Sequence, residues 1–399
     1  RPLTDRLRIS REKLAYLVDS TAAPVACLAF VTTWIGYEVG LIGEAVANLE
    51  GFDQGAYAVF LSALPYNFYP LLAIFFVFAV VLTGRDFGPM YRAEQRARRT
   101  GDVHPPEGEV SGDDAASESL EAKEGVPHRA LNAVVPILVL VGGVAVGLYL
   151  TGDGETLQAI IGSADAYRAL LWGSLAGVLV GFVLVIGQGI LTMAEALDAW
   201  MDGVKTMMLA MVILVLAWAL SDQTDALHTA DYLVSALGTS LPPALVPASI
   251  AVLAALTAFA TGSSWGTMAI LMPLVIPLTW SVLELNGMAA DPAHWHILYS
   301  SVAVVLAGAV WGDHCSPISD TTILSSMAAG CDHIAHVRTQ LPYALLVGGV
   351  ALFLGTVPAG YGLPWWAGLL VGATLLAAIL RLLGRPVDEG DAVRGTEAP

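Results

Sequence analysis

The chain has 399 residues, of which 56% are hydrophobic and 13% are charged. Soluble domains carry about 25% charged residues, so this composition argues against an ordinary soluble protein. Eighteen Lys and Arg stand against 35 Asp and Glu, and the net charge of −17 argues against an electrostatic nucleic-acid binder, which needs clustered cations. Three cysteines are too few for a disulfide framework in a chain of this length.

Apolar segments of about 20 residues, the length that crosses a hydrocarbon core, recur along the chain. They predict an all-α polytopic membrane protein in a lipid bilayer. The predicted spans are Leu14–Ile35, Ala56–Thr83, Ala130–Leu150, Ala169–Leu191, Val204–Leu220, Ala244–Ala260, Met268–Leu283, Ile297–Trp311, Leu341–Pro358 and Trp365–Leu383.

Two of these spans are interrupted by polar residues. Asp19 and Pro24 lie within the first, and the span from Ile297 ends in the polar motif Gly312–Thr322. Proline removes a helix hydrogen-bond donor, and non-helical backbone at membrane depth is tolerated where it lines a polar site. Both segments therefore predict broken helices, one around Asp19 and one over 297–327.

The basic residues predict the orientation, because short cytoplasmic loops are enriched in Lys and Arg. Placing the basic stretches inside puts the N-terminus of the chain, residues 85–129 and the C-terminus on the cytoplasmic face of a cell (inner) membrane. With these loops inside, successive spans cross the membrane in alternating directions on one condition. The segment 244–283 must enter and leave on the outer side, either as a re-entrant hairpin or as two spans, and its two arms are joined only by Thr261–Thr267. The helices around Asp19 and Asp320 then run antiparallel.

This topology predicts an inverted repeat. Each interrupted helix precedes a span that opens with Leu-Pro-Tyr, at residues 64–66 and 341–343. Opposed, interrupted helices at matching positions of two halves are typical of an inverted-repeat secondary transporter whose site lies at the midplane. The predicted organisation is the end of the first repeat (1–89), an acidic and disordered cytoplasmic linker (90–128), a linking span with the second repeat (129–384) and a cytoplasmic tail (385–399).

Carboxylates are rare inside membranes and mark ion or proton sites where they occur. Asp19 and Asp320 each lie in a segment rich in Ser and Thr, and hard cations such as Na+ prefer oxygen ligands of this kind. A poorly solvated carboxylate holds either a proton or Na+, and a site that faces one side at a time then exchanges the two ions. We expect Asp320 and Asp19 to bind Na+ and H+, with hydroxyl ligands from Ser316, Ser319, Thr321, Thr322, Ser20, Thr21, Thr261, Ser263, Ser264 and Thr267.

Asp313 and His314 precede the second predicted break. Two roles are open for them. They form a proton relay, because imidazole titrates near neutral pH, or Asp313 caps the broken helix. The hydroxyls also have an alternative role, which is to satisfy backbone groups freed by the breaks. The cysteines and histidines of this region match no standard zinc spacing, so we expect no transition-metal site; they are Cys315, Cys331, His314, His333 and His336.

Three motifs resemble the NhaC-type Na+/H+ antiporter family within the larger ion-transporter group. They are Gly312–Thr322, Thr261–Thr267 and Asp19–Ala26, and Ala217–Leu220 and Leu82–Met90 are also similar to family sequence. The resemblance extends over nearly the whole chain, except the acidic linker and the tail. It implies a secondary antiporter, not an enzyme, that exchanges Na+ for H+ at its polar broken helices, with these two ions as its partners and without a cofactor.

Relatives of this type also exchange carboxylates such as malate and lactate, so a Na+- or H+-coupled organic-acid exchanger is the alternative. No Arg lies within a predicted span near the site, which favours small cations over an organic anion. A passive channel is a further alternative, and an intramembrane aspartyl protease is a remote one, because the Tyr-Asp and Gly-x-Gly-Asp motifs are missing. The repeat also predicts that on the order of 130 to 170 residues with N-terminal spans precede Arg1. The sequence does not determine the oligomeric state, and a homodimer is one alternative.

Overall fold

The computed structural model describes residues 1–29, 33–47, 51–104, 129–154, 164–205 and 242–387, and the single residues 49, 160, 208, 212 and 227. Most of the predicted span Val204–Leu220 and of the tail 385–399 lies outside the described residues. The α-helices, in chain order, are α1 (Pro2–Arg6), α2 (Arg11–Leu28), α3 (Thr33–Val46), α4 (Ala56–Ala63), α5 (Phe68–Thr83), α6 (Gly88–Thr100), α7 (Leu131–Thr151), α8 (Ala166–Gly187), α9 (Val246–Thr261), α10 (Ser264–Leu285), α11 (His296–Cys315), α12 (Asp320–Ala329), α13 (His333–Val350), α14 (Val357–Gly360) and α15 (Trp365–Leu383).

Shorter elements complete the described chain. Residues 193–205 are also helical, and a π-helix (Ala351–Thr356) joins α13 to α14. Turns of 3-10 helix cover Leu64–Tyr66, Pro243–Leu245 and Pro292–His294. The two-residue strands β1 (Arg85–Asp86) and β2 (Arg385–Pro386) pair antiparallel.

Six helical stretches among the described residues are long and apolar enough to cross a membrane, and the bent pair α4 and α5 would make a seventh. The chain is therefore an all-α, multi-pass membrane protein, as its hydropathy predicted. Both arms of the predicted hairpin, α9 and α10, belong to this set, so each is long enough to be a span of its own. The six stretches are Leu131–Thr151, Pro243–Thr261, Ser264–Leu285, Pro292–Cys315, His333–Gly360 and Trp365–Leu383.

Contacts between residues divide the chain into two compact units. In one of them α7 packs along α8 with close backbone approach, since a Cβ on Gly173 would lie 2.8 Å from the carbonyl oxygen of Leu140. All the predicted site residues belong to the other unit. That unit consists of Arg1–Leu28, Leu41–Val110 and Val212–Pro399, and the unit with α7 and α8 consists of Ala29–Gly40 and Ser111–Met211.

The predicted break around Asp19 is wrong. Helix α2 continues through Asp19 and past Pro24 to its end at Leu28. The missing N–H of Pro24 frees only the carbonyl of Ser20, one turn earlier, and the helical hydrogen bonds on either side remain. The second predicted break is confirmed, because the chain leaves the helical conformation between α11 and α12.

The two Leu-Pro-Tyr tripeptides occupy different structural positions. Residues 64–66 form a 3-10 turn between α4 and α5, which are bent by 47° from each other. Residues 341–343 lie inside α13, which begins about two turns earlier, at His333, behind its N-cap residue Asp332. The second tripeptide therefore does not open a span, and the pair gives no support to a repeat.

The linker predicted at 90–128 begins later than expected. Its first residues belong to α6, an amphipathic helix whose buried face carries Met90, Ala93 and Ala97. This apolar face gives the start of the segment a place to pack, whereas the prediction of disorder rested on the acidic composition further along. Residues 105–128, which hold most of those acidic side chains, lie outside the described residues.

A buried ion-pair cluster joins the start of α2 to α6 and α13. Lys13 Nζ lies 2.6 Å from Asp86 Oδ2 and 3.9 Å from Glu94 Oε2. The Tyr343 hydroxyl donates to Asp86 Oδ1 (2.8 Å), and the N–H and hydroxyl of Ser10 donate to Glu94 Oε1 (2.7 and 2.6 Å). Burial raises the pKa of the Glu94 carboxyl, and Lys13 and Ser10 act in the opposite direction. The basic N-terminal stretch is thus fixed to the helix that follows β1.

Helices α2 and α12 lie side by side and run in opposite directions. Asp19, in the middle of α2, bonds to Thr322 and Ser325 in the first half of α12. Arg11, at the start of α2, donates to the carbonyl of Ala329 at the end of α12 (2.8 Å). Rising residue numbers in one helix meet falling numbers in the other, so the two are antiparallel, which agrees with the predicted topology.

Candidate functional site

Two interrupted stretches of backbone meet where α9 turns into α10 and α11 turns into α12. Gly262 lies in the first turn with φ of +67°, and a Cβ at this position would overlap the carbonyl oxygen of Ile318 in the second. The Gly262 carbonyl accepts the N–H of Asp320 (3.2 Å), and the Ser316 hydroxyl donates to the carbonyl of Phe259 (2.8 Å). A residue without a Cβ therefore brings the two polar motifs into direct contact.

Asp19 is fully buried and accepts hydrogen bonds from two other helices. Thr322 Oγ1 and Gln340 Nε2 donate to Asp19 Oδ2 (3.1 and 2.5 Å), and Ser325 Oγ donates to Oδ1 (3.1 Å). The carboxylate comes from α2, whereas its donors come from α12 and α13. Its position is therefore set by packing between helices and not by its neighbours in sequence.

Asp313 lies at the end of α11 and caps a different helix. Its Oδ2 accepts both the backbone N–H (3.1 Å) and the hydroxyl of Ser264, the first residue of α10. Carboxylates are favourable at helix N-termini, where backbone N–H groups have no helical partner. Asp313 therefore caps α10, whereas the cap considered from the sequence was on the broken helix itself.

Orphaned polar atoms lie on two adjacent residues of this region. Neither the buried Oδ1 atom of Asp313 nor the buried Nε2 atom of His314 has a hydrogen-bond partner among the residues that the structure describes. The other ring nitrogen, Nδ1, lies 2.8 Å from the hydroxyl of Tyr69. Buried polar atoms are nearly always satisfied in proteins, and these two lie side by side in the polar motif between α11 and α12.

Asp320 is the third carboxylate, half-buried in the first turn of α12. Its Oδ1 accepts the N–H of Thr321 (2.7 Å). Asp19, Asp313 and Asp320 lie close enough to act on one another electrostatically. Within the described ranges, no Lys or Arg forms an ion pair with any of them. Their combined negative charge must therefore be offset by protons or by a bound cation.

The predicted hydroxyl ligands divide into two groups. Thr322 and Ser264 donate to the carboxylates. Four of the others bond to nearby backbone, which is the alternative role: Ser316 to Phe259, Ser263 to Gly266, Thr261 to Thr257 and Thr267 to Ser263. The hydroxyls of Ser319 and Thr321 bond to each other.

The two predicted ligands on α2 point away from Asp19. Thr21 is exposed, and its hydroxyl donates to the carbonyl of Leu17 in its own helix (2.6 Å). Ser20 is buried beside the hydroxyl of Tyr16. Successive residues of an α-helix are rotated by about 100° around its axis. Residues next to Asp19 in an unbroken helix therefore face other directions.

Gln340 and Ser325 are absent from the predicted site although both bond to Asp19. Ser325 follows Thr322 by three residues, and this spacing on a helix indicates one shared face. Gln340 lies one residue before the predicted start of its span, which placed it in a loop. No local signal connects Gln340 with a carboxylate 321 residues away in the chain.

The chemistry of this site suits a hard cation. In the part of the chain that the structure describes, no group of three or more His, Cys, Asp or Glu side chains is arranged to hold a metal ion. The atoms around Asp19 and Asp313 are mostly carboxylate, hydroxyl and carbonyl oxygens. Oxygen ligands are those that hard cations prefer, whereas soft metals select thiolate and imidazole.

Comparison with known proteins agrees with this chemistry. The model of the Na+/H+ antiporter family matches residues 25–361, a range that includes Asp313 and Asp320. An uncharacterized protein of Haemophilus influenzae is 33% identical over 389 residues, which cover 95% of this chain and 70% of that protein. No solved structure matches the chain. The match to the family model covers well over half of the chain, which therefore belongs to the Na+/H+ antiporter family.

Proposed function

We propose that this protein is an NhaC-type antiporter that exchanges Na+ for H+ by alternating access, with Na+ and H+ competing for Asp19 and Asp320. Membership of the family supports cation/proton antiport, and a transporter rather than an enzyme. We add to this that Na+ and H+ compete for the same carboxylates. It follows because one carboxylate can be neutralised by a proton or by Na+, and occupation by one excludes the other.

The observation that carries the proposal is the uncompensated charge of the site. Asp19, Asp313 and Asp320 interact with one another, and no Lys or Arg of the described residues pairs with them. Isolated charges in a low-dielectric interior are strongly unfavourable, so the site favours a small cation or protons. The same charge would repel an organic acid, which argues against exchange of malate-like or lactate-like anions.

The antiparallel pair α2 and α12 supports an inverted repeat, with the site where the two helices pass each other. Orientation is proposed from charge. The basic start of α2 contacts α6, which ends with Arg98 and Arg99. Positively charged residues are enriched on the cytoplasmic side, so we place this face in the cytoplasm of a cell with the protein in its inner membrane.

Proteoliposomes that contain the full chain and a pH-sensitive dye test the proposal. With an imposed inside-acid gradient, we expect NaCl to release protons from the vesicles in the absence of any organic acid. Asp320→Asn should abolish this signal, because the amide cannot exchange a proton for Na+. The matched control is Asp291→Asn, a change in an exposed turn where the side chain caps a 3-10 helix. Wild-type vesicles that respond to malate or lactate but not to NaCl would refute Na+/H+ exchange.

A further inference from the structure

A cluster of two histidines and one serine lies beside the site, outside the residues assigned above. Ser326 Oγ lies 2.8 Å from His336 Nδ1, 3.1 Å from His333 Nδ1 and 2.7 Å from the carbonyl oxygen of Thr322. Ser326 and His336 are buried, whereas His333, at the start of α13, is half-buried. Ser326, His333 and His336 are called the histidine cluster below.

The hydrogen-bond partner of the other nitrogen in each ring, Nε2, determines whether that nitrogen carries a proton. His333 Nε2 lies 2.6 Å from the carbonyl oxygen of Pro317, and His336 Nε2 lies 3.0 Å from Gln340 Oε1. The amide of Gln340 cannot be flipped, because its nitrogen faces two acceptors, one of which is Asp19 Oδ2. Both histidine Nε2 atoms face oxygens that only accept, so both carry a proton.

When both rings are neutral, the histidine cluster has too few protons for its contacts. Each ring then has its single proton on Nε2, so each Nδ1 is an acceptor. Together with the Thr322 carbonyl, three acceptors surround the oxygen of Ser326, whose hydroxyl has one proton to donate. A proton added to either ring makes that Nδ1 a donor to a lone pair of Ser326. A second added proton would place two like charges around one oxygen, which is unfavourable.

We propose that the histidine cluster binds one proton, shared between His333 and His336, and releases it when Na+ binds at Asp19. The inference rests on the proposed Na+/H+ exchange and adds a proton-binding site to it. The amide of Gln340 connects the two places, since it accepts from His336 at one end and donates to Asp19 at the other. Hydrogen bonds in series polarise one another, so a charge at one end is felt at the other.

The direction of the coupling follows from charge. A negative charge on Asp19 favours a positive charge at the other end of the chain through Gln340, and the positive charge of Na+ at Asp19 removes that support. His336 is fully buried and His333 is half-buried, so His333 is the ring through which the proton enters. Coupling between two bound ions is reciprocal, and loss of the proton therefore strengthens Na+ binding.

Among the charged and titratable groups around the histidine cluster, Asp19 is the carboxylate that Gln340 links to His336, and Asp313 of α11 and Asp320 of α12 are the other carboxylates of the site. His314 of α11 also acts on His336, and Asp332 is the N-cap of α13. Groups on the other packed helices have partners of their own: Glu12 with Arg96, Glu94 with Lys13, Asp86 with Tyr343, and Tyr69 with His314.

Transport by the full chain in proteoliposomes tests the proposal between pH 6 and pH 8. The slope of the logarithm of the half-saturating Na+ concentration against pH counts the protons displaced by each Na+. The double variant His333→Gln/His336→Gln keeps side-chain N–H donors but leaves no ring in the histidine cluster that can take up a proton. We expect exchange to persist and the slope to fall by about one proton. The matched control is His294→Gln, which changes a partly exposed histidine in the loop before α11 and should leave the slope unchanged.

A second variant and a second readout make the result independent of one substitution. Ser326→Ala removes the shared oxygen and should reduce the slope in the same way. In the purified chain with 15N-labelled histidine, NaCl added at constant pH should move ring resonances toward the neutral form. Gln340→Leu should abolish this response. Wild-type slopes in both the double variant His333→Gln/His336→Gln and Ser326→Ala, or histidine resonances that do not respond to NaCl, overturn the proposal. A wild-type protein without Na+-dependent proton flux would instead overturn the proposed function.

Discussion

Thr322→Val should weaken Na+ binding, whereas Thr21→Val should not. Both threonines were predicted as ligands, but only Thr322 donates to Asp19, over 3.1 Å in a fully buried position. A hydrogen bond to a charged group contributes about 1.5–3 kcal/mol, and each 1.4 kcal/mol is a factor of ten. We therefore expect the half-saturating Na+ concentration to rise by about 10- to 100-fold in Thr322→Val.

The two variants form a matched pair, because each replaces a threonine hydroxyl by a methyl group within a helix. Na+-dependent dye responses of proteoliposomes, measured over a range of NaCl concentrations at constant pH, give the half-saturating concentration. The Thr21 hydroxyl is exposed and bonds to its own helix, so its loss should change this value less than twofold. Equal effects of the two substitutions, or a larger effect of Thr21→Val, would refute the assignment of Thr322 to the site.

Three further changes test the packing around the site. Gly262→Ala places a Cβ against the carbonyl of Ile318 at a positive φ, so we expect a lower unfolding temperature and impaired exchange; wild-type values would contradict the close approach. Lys13→Met leaves buried Asp86 without its cation and should lower the free energy of unfolding by about 3–5 kcal/mol. An unchanged thermal unfolding curve would exclude such a role. Burial raises the pKa of Glu94, so the native state binds its proton more tightly than the unfolded chain. The stability of the wild type relative to Glu94→Gln should therefore rise as the pH falls from 7 toward 5, and a flat difference would contradict this.

The sequence was sufficient for the fold class and for the residues of the site that lie in dense polar motifs. Hydropathy identified the spans, and the motif around Asp313 and Asp320 indicated a break that the structure contains. These are local signals, because apolar length and the composition of a polar segment do not depend on distant residues. The family could be recognised for the same reason.

Predictions failed where packing between helices decides the outcome. Pro24 has the chemistry of a helix breaker, yet the neighbouring helical bonds and the packing of α2 keep the helix intact. The continuous helix then turns Thr21 outward, although it is close to Asp19 in sequence. Gln340 and Ser325 reach Asp19 only because α12 and α13 pack against α2, and no pattern within either segment encodes that contact.

The most direct test of competition between Na+ and H+ is to count the protons released when Na+ binds to the purified protein. Calorimetric titration with NaCl, in buffers of equal pH and different ionisation enthalpy, gives this number without any vesicle. We predict release of at least about one proton for each Na+ bound, and no Na+ binding in Asp19→Asn or Asp320→Asn. Na+ binding without proton release, or undiminished binding in both variants, would contradict a shared site for the two ions.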